Sequence, residues 1–375
     1  MATENNNKNL NVPNLRFPEF SGEWDRYKLE EVATISKERI GVDMLSSKNY
    51  ISTENMRSNF GGVGEATNLP ASGNVMKFQQ GDTLLSNIRP YLKKIWKAEF
   101  SGGCSADIFV FRSNTLCNQD FLYYTLANEK FISYAMSGAK GVKMPRGDKE
   151  QMLKYELHLP TTTEQDKITS LLSLLDERIA TQNKIIEDLK KLKSAIRAKV
   201  FKQLESSCEF WSEIGNMLQY EQPSKYLVTS TEYSDSYATP VLTANKAFIL
   251  GYTDEEFGIY SKGECVIFDD FTMDVKFVNF PFKVKSSAIK ILTSNSGNDL
   301  YFLYEYLQNL GLVSEEHKRH YISEIEPMIV TCPTFEEQQN ISNLLRSFDS
   351  KIEYANRELT LYNKQKQYLL SQMFI

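Results

Sequence analysis

At 375 residues, with 41% hydrophobic and 24% charged side chains, the chain is long enough for two domains plus connectors and has a globular composition. No apolar run approaches membrane-spanning length, and the polar, Asn-rich start lacks the regions of a signal peptide, so neither membrane nor secretion is expected. Five scattered cysteines without a Cys-x-x-Cys pair argue for a reducing, cytoplasmic compartment and against zinc; the net charge of −5 does not by itself favour nucleic acid, although binding depends on local surface.

In chain order, residues 1–12 read as a flexible leader. Residues 13–24, PNLRFPEFSGEW, carry two prolines and several aromatics suited to packing on a first globe. Residues 27–36 predict a short helix or strand, and residues 49–82 are loop-rich, with Gly61, Gly62, Gly64, Pro70 and Gly73. Residues 83–96 mix a strand with a basic, aromatic turn, residues 106–111 read as a buried strand, and residues 120–133 have helical spacing through Phe121, Leu122, Leu126 and Ile132. Residues 137–146, SGAKGVKMPR, form a glycine-rich basic loop; a strand at residues 156–159 leads into Pro160.

The stretch beginning at Pro160 occurs twice. Pro160, Glu164, Gln165, Ile168, Leu171, Leu172, Asp176, Ile179, Asn183 and Phe201 recur, 173 positions on and without a gap, as Pro333, Glu337, Gln338, Ile341, Leu344, Leu345, Asp349, Ile352, Asn356 and Phe374. Within the first copy Ile168, Leu172, Leu175, Ile179, Gln182, Ile186, Leu189, Lys193, Ile196 and Val200 alternate steps of four and three. In the second, Ile341, Leu345, Phe348, Ile352, Ala355, Leu359, Tyr362, Lys366, Leu369 and Met373 do the same, which is a heptad seam. After its opening proline neither copy contains Pro or Gly, so each predicts an unbroken rod of roughly 55–60 Å at about 1.5 Å per residue. Lys193 and Lys366 put a charge at the same seam position, where the seam is expected to open or the stems to snorkel.

The segments before each rod also correspond. Residues 263–268 (GECVIF) stand where 81–85 (GDTLL) did, residues 286–291 where 105–110 did, and Phe302, Leu303 and Tyr304 where Phe121, Leu122 and Tyr123 did. The expected fold class is α+β: two similar α/β globes separated by two long helices that pack as an antiparallel coiled coil, a pseudo-two-fold internal repeat. The boundaries read as leader 1–12, first globe 13–159, first long helix 160–204, second globe 205–332 and second long helix 333–375.

Catalytic motifs are absent. No phosphate-cradling Gly-x-x-x-x-Gly-Lys-Ser/Thr run, dinucleotide-type Gly-x-Gly-x-x-Gly or Gly-x-Ser-x-Gly elbow occurs. Asp274-Val275-Lys276 resembles half of a metal-dependent nuclease site, with Asp254, Glu255 or Asp269 as further carboxylates, but Asp188-Leu189-Lys190 shows how readily that pattern arises. No catalytic or metal site is expected, although a self-sufficient nuclease remains one alternative.

Basic and aromatic residues cluster in loops before each rod. Arg89, Tyr91, Lys93, Lys94, Trp96 and Lys97 crowd one turn of the first globe, and Lys140, Lys143 and Arg146 decorate its glycine-rich loop. The second globe offers Lys276, Lys283 and Lys285, then His317, Lys318, Arg319, His320 and Tyr321. Such residues neutralise phosphates, and arginine can fork onto guanine, so double-stranded DNA is the expected ligand. A coiled-coil assembly adaptor without DNA readout is the other alternative.

The two Pro-x₃-Glu-Gln-x₂-Ile helix starts, with the Leu-Leu pair, Asp176, Ile179 and PNLRFPEFSGEW, make the chain resemble the specificity subunits of type I restriction-modification systems. The resemblance implies that the globes are target recognition domains, each reading half of a split DNA sequence. It implies that the helices fix the half-site separation, and that two methylation subunits and the restriction subunits dock on this frame. This chain would bind no cofactor of its own; S-adenosylmethionine, ATP and Mg²⁺ would belong to those partners.

Overall fold

The computed structural model describes residues 11–243, 248–314 and 319–375; the expected leader falls almost wholly outside them. The chain divides into two compact units. Unit 1 comprises Met1–Gln182 and Glu358–Ile375, and unit 2 comprises Asn183–Arg357, so each unit takes part of both long helices.

Unit 1 is built on a four-stranded antiparallel sheet in the order Ala33–Ile35, Ile108–Ser113, Thr83–Ser86, Ile95–Lys97. All four residues of Thr83–Ser86 are buried, as expected of a central strand covered on both faces. Where the spacing predicts one helix over residues 120–133, the structure has two, Gln119–Leu126 and Glu129–Ser137. The break lies at Asn128, whose side chain accepts from the Lys130 N–H and caps the second helix; a residue that competes for backbone donors favours a helix start over a helix interior.

A second sheet runs Arg39–Gly41, Asn74–Phe78, Gly102–Cys104, Tyr50–Ile51, the last pair parallel. Gly102 is required there, because a Cβ would lie 2.0 Å from the Asn49 carbonyl oxygen. Strand Asp25–Lys28 pairs with Glu156–Leu159 beneath the helix start.

Unit 2 repeats the central sheet strand for strand: Leu218–Glu221, Ile289–Ser294, Cys265–Asp269, Val275–Val278, all antiparallel. Helix Leu300–Asn309, capped by Asp299, takes the place of Gln119–Leu126, which Asn118 caps. The outer sheet differs, with three strands, Ile249–Thr253, Thr239–Leu242 and Lys283–Val284. Trp211–Glu213 pairs with Ile329–Thr331.

The long helices are Thr162–Ser207 and Phe335–Met373. All the seam residues Ile168, Leu172, Leu175, Ile179, Ile186, Leu189 and Ile196, and Ile341, Leu345, Phe348, Ile352, Leu359, Tyr362 and Leu369, are buried or half-buried, while Leu174, Leu192, Leu344 and Leu361 are exposed. In unit 1 the start of the first helix meets the end of the second: Lys366 reaches Asp176 at 2.5 Å and Arg178 lies over the Tyr362 ring. In unit 2 the end of the first meets the start of the second, with Lys193 2.6 Å from Asp349. The pairing is antiparallel. The two seam lysines therefore neither open the seam nor snorkel; each is held by an aspartate at the repeat-equivalent position of the opposite helix.

Candidate nucleic-acid interface

The helix starts hold the globes by the same device twice. The Gln165 side-chain oxygen accepts from the Asn118 N–H, and its amide donates to the Pro160 carbonyl; Gln338 treats Asp299 and Pro333 in the same way. Thus the Glu-Gln motif ties each long helix to the cap of the globe's own helix. The glutamates diverge. Glu164 is buried and paired with Arg16 at 2.7 Å, whereas Glu337 is exposed and closes a turn on Thr334.

In unit 1 the tie orients a surface made from three loops. Arg89 (φ 50°) and Lys93 (φ 53°) bracket a short turn, Pro90–Leu92, in the left-handed region that only a tightly held loop imposes on such residues. The loop at residues 140–147 supplies the restraint. Ile88 bridges Arg146, Lys140 bridges Arg146 to make a small hairpin, and the Arg89 N–H donates to the Pro145 carbonyl at 2.7 Å. Gly141 (φ +98°) makes the hairpin turn possible. A third hairpin, Met56 bridged to Val63, is strapped alongside by Asn59 N–H to Leu92 O and Phe60 N–H to Lys93 O.

The side chains on this surface are basic around an apolar tip. Val142 is fully exposed and Met144 and Tyr91 about half so, among Lys140, Lys143 and Arg146. Lys143 has no ion pair among the described residues. Lys140 pairs with Asp148 and Arg146 with Asp107 at 3.1 Å, exposed bridges that water and salt screen readily. The hydrogen bond to Asp148 shifts the Lys140 ammonium upward, keeping it cationic at neutral pH. Arg89 is half-buried, its Nε buried without an acceptor among the described residues. Lys93 pairs with Glu129, Lys94 donates to the Thr53 carbonyl, and Lys97 pairs with Asp120. Arg57 and Asn59, both exposed on the strapped hairpin, belong to the surface and escaped the sequence reading, because Gly61, Gly62 and Gly64 mark a loop without saying where it docks.

Unit 2 does not reproduce this surface. The connection corresponding to residues 87–94 is short and acidic, with Asp269, Asp270 and Asp274. Asp269 caps its own turn, and Asp270 is buried, accepting from the His320 and Tyr321 N–H groups. Lys283, expected on the DNA face, is instead fully buried, 2.6 Å from Glu255, and donates to the Phe257 carbonyl, so it cannot offer its charge to a ligand. Tyr321 and His320 are also buried, whereas Arg319 and Lys285 are exposed, the latter over the Tyr233 ring. Lys276 is half-buried and bound to Asp274 at 2.9 Å. Lys318 and His317 lie outside the described residues. Of the nuclease-like carboxylates, Asp269 and Asp274 meet across one turn, the Asp269 N–H donating to the Asp274 carbonyl, but the Asp274 carboxylate is bound to Lys276, and Glu255 is bound to Lys283. No metal-competent group of three His, Cys, Asp or Glu occurs among the described residues.

A family profile described as "Type I restriction modification DNA specificity domain" matches this sequence twice, over residues 21–191 and 211–361. The chain belongs to that family. It is 42% identical over 176 residues to the EcoR124I/EcoR124II specificity subunit of Escherichia coli, a match spanning 44% of each chain. It is 24% identical over 260 residues to the putative MjaX specificity subunit of Methanocaldococcus jannaschii, covering 59% of each, so neither match reaches two thirds of the relative's length. The specificity-domain fold is shared with the type I restriction-modification S subunit from M. genitalium: TM-score 0.63 at 15% identity, covering 97% of this chain and 99% of that one. It is also shared with a chain from a structure on complex assembly and conformational transition of the type I R-M system: TM-score 0.55 at 17% identity, covering 93% and 97%. Both family matches take in part of a long helix, so the Gln165 and Gln338 ties fall inside the matched residues. No helix among the described residues of this specificity-domain protein is long and apolar enough to cross a membrane.

Proposed function

We propose that this chain selects a two-part DNA sequence, one part through each unit, and holds methylation and restriction subunits in register on it. Its own role is geometric rather than catalytic. The partners supply S-adenosylmethionine, ATP and Mg²⁺ chemistry, and the assembly acts on DNA in the cytoplasm. The observation that carries the reading is the twofold match to a DNA specificity family in a chain whose first unit presents a basic, loop-built surface. On that surface Lys140, Lys143 and Arg146 would neutralise phosphates, Arg89 would reach a base edge, and Val142 and Met144 would meet apolar groove edges such as a thymine methyl.

The test is methylation mapping in cells carrying the chain and its neighbouring subunits, with duplex binding measured on the purified complex. Arg89→Ala or Arg146→Ala should weaken binding or relax one half-site only, by about 1–3 kcal/mol if a base is read. Equal loss of discrimination in both halves would contradict the reading. A protein-binding adaptor would lack the steep fall of DNA affinity with salt that counterion release imposes. One heptad inserted after Asn183, matched after Asn356, should change the spacer and leave both half-sites intact.

A further inference from the structure

The two short strand pairs under the helix starts are equivalent, and their outer faces differ in kind. The register that sets Arg26 against His158 and Lys28 against Glu156 sets Trp211 against Thr331 and Glu213 against Ile329. Asp25, Arg26 and Glu156 of unit 1 therefore correspond to Phe210, Trp211 and Ile329 of unit 2. In unit 1 Arg26 and Glu156 form an exposed ion pair. In unit 2 the three apolar side chains are 68%, 53% and 67% exposed. The same backbone thus folds with charges on this face, so the fold does not require aromatics there. Trp211 and Ile329, diagonal neighbours in this register, share one solvent-facing side of the strand pair, and the exposed Phe210 is next to Trp211 in the chain; large apolar groups left in solvent, an aromatic among them, have the composition of an interface core.

The rim says what fits. Glu209 and Glu213 are exposed beside the patch, and Glu213 stands where unit 1 has Lys28. An acidic rim repels phosphate and attracts cationic side chains. We infer that Trp211 and Ile329 form a protein-docking patch, present once per chain, for an apolar segment with lysine or arginine flanks carried by another subunit of the assembly. This rests on the assembly reading above and adds that the two halves of the chain do not engage their partners identically.

The test uses the full-length chain co-expressed with the methylation subunit of its own system. Variant W211R/I329E copies the ion pair that the equivalent face of unit 1 already bears, and R26W/E156I is its mirror. Expected are at least tenfold weaker association or loss of one bound subunit for W211R/I329E, with unchanged thermal midpoint and DNA affinity of the free chain, and no loss for the mirror variant. Wild-type stoichiometry and affinity in W211R/I329E would overturn the patch alone. A DNA-binding defect without an assembly defect would also overturn it, as would a wild-type homodimer that the variant dissolves. Failure of the wild-type chain itself to bind the methylation subunit would overturn the assembly reading, and the patch with it.

Discussion

Unit 1 and unit 2 place the same lysine and the same aspartate at equivalent seam positions, then surround them differently. In unit 1 Lys366 meets Asp176 beside Tyr124, whose hydroxyl donates to Asp176 at 2.9 Å. In unit 2 the position of Tyr124 is held by Glu305, fully buried, 2.6 Å from Lys193. A second cation, Arg197, stands where unit 1 has Leu370 and lies 3.3 Å from Glu305, while Tyr301 donates to Asp349 from a different turn of its helix. Each site is therefore neutral, one as a single pair and the other as two cations facing two carboxylates. The lesson is that the node tolerates an extra buried carboxylate only with an extra cation, since an unpaired buried charge is far costlier than the pair is beneficial.

The largest break in that comparison should come from Arg197→Leu, which leaves Glu305 one cation short. Chemical denaturation should show a loss of about 3–5 kcal/mol, and adding Glu305→Tyr, which copies unit 1, should return most of it. A double variant no more stable than Arg197→Leu alone would show that the two nodes are not interchangeable. Lys366→Met should cost less, about 1–3 kcal/mol, because Asp176 is 32% exposed and water takes part of the load.

Acid sharpens the contrast from another side. Burial works against the Glu255 carboxylate, but the Lys283 ammonium and donors on Thr229 and Ser230 outweigh it and hold its titration down at about 2. A depressed carboxylate stabilises the fold above its ordinary value of 4.5 and loses that contribution as pH falls towards about 2. The stability advantage of the wild type over Glu255→Gln should therefore be full at pH 7 and shrink steadily below pH 4.5; an advantage that stays constant would sink this account. The smallest effect belongs to Glu156→Ala, where both partners of the Arg26 pair are exposed and a change within about 1 kcal/mol is expected.

The helices, their seam and their antiparallel partnership were legible because burial on a rod writes itself as period, and no other element of a chain repeats so strictly. The matched strands of the central sheets were legible through duplication. Less was readable in the loops. Lys283 and Lys285 are two residues apart, yet one is sealed under Phe257 against Glu255 and the other is in solvent, a difference set by which distant residues cover each position rather than by the strand's own alternation. Asn128 looked like part of one helix because helical spacing persists across it, and its capping role appears only once its backbone is seen.

From sequence alone came the duplicated plan, the class of fold, the family likeness and the positions at which Lys193 and Lys366 would enter an apolar seam. Only the tertiary structure decided that each lysine is met by the other helix's aspartate, that Gln165 and Gln338 fasten helix to globe, and that Trp211 and Ile329 share one open face. The reason is physical. Period and composition record which residues leave water, whereas hydrogen bonds and ion pairs join groups brought together from distant points of the chain, and no local pattern carries their partners' names.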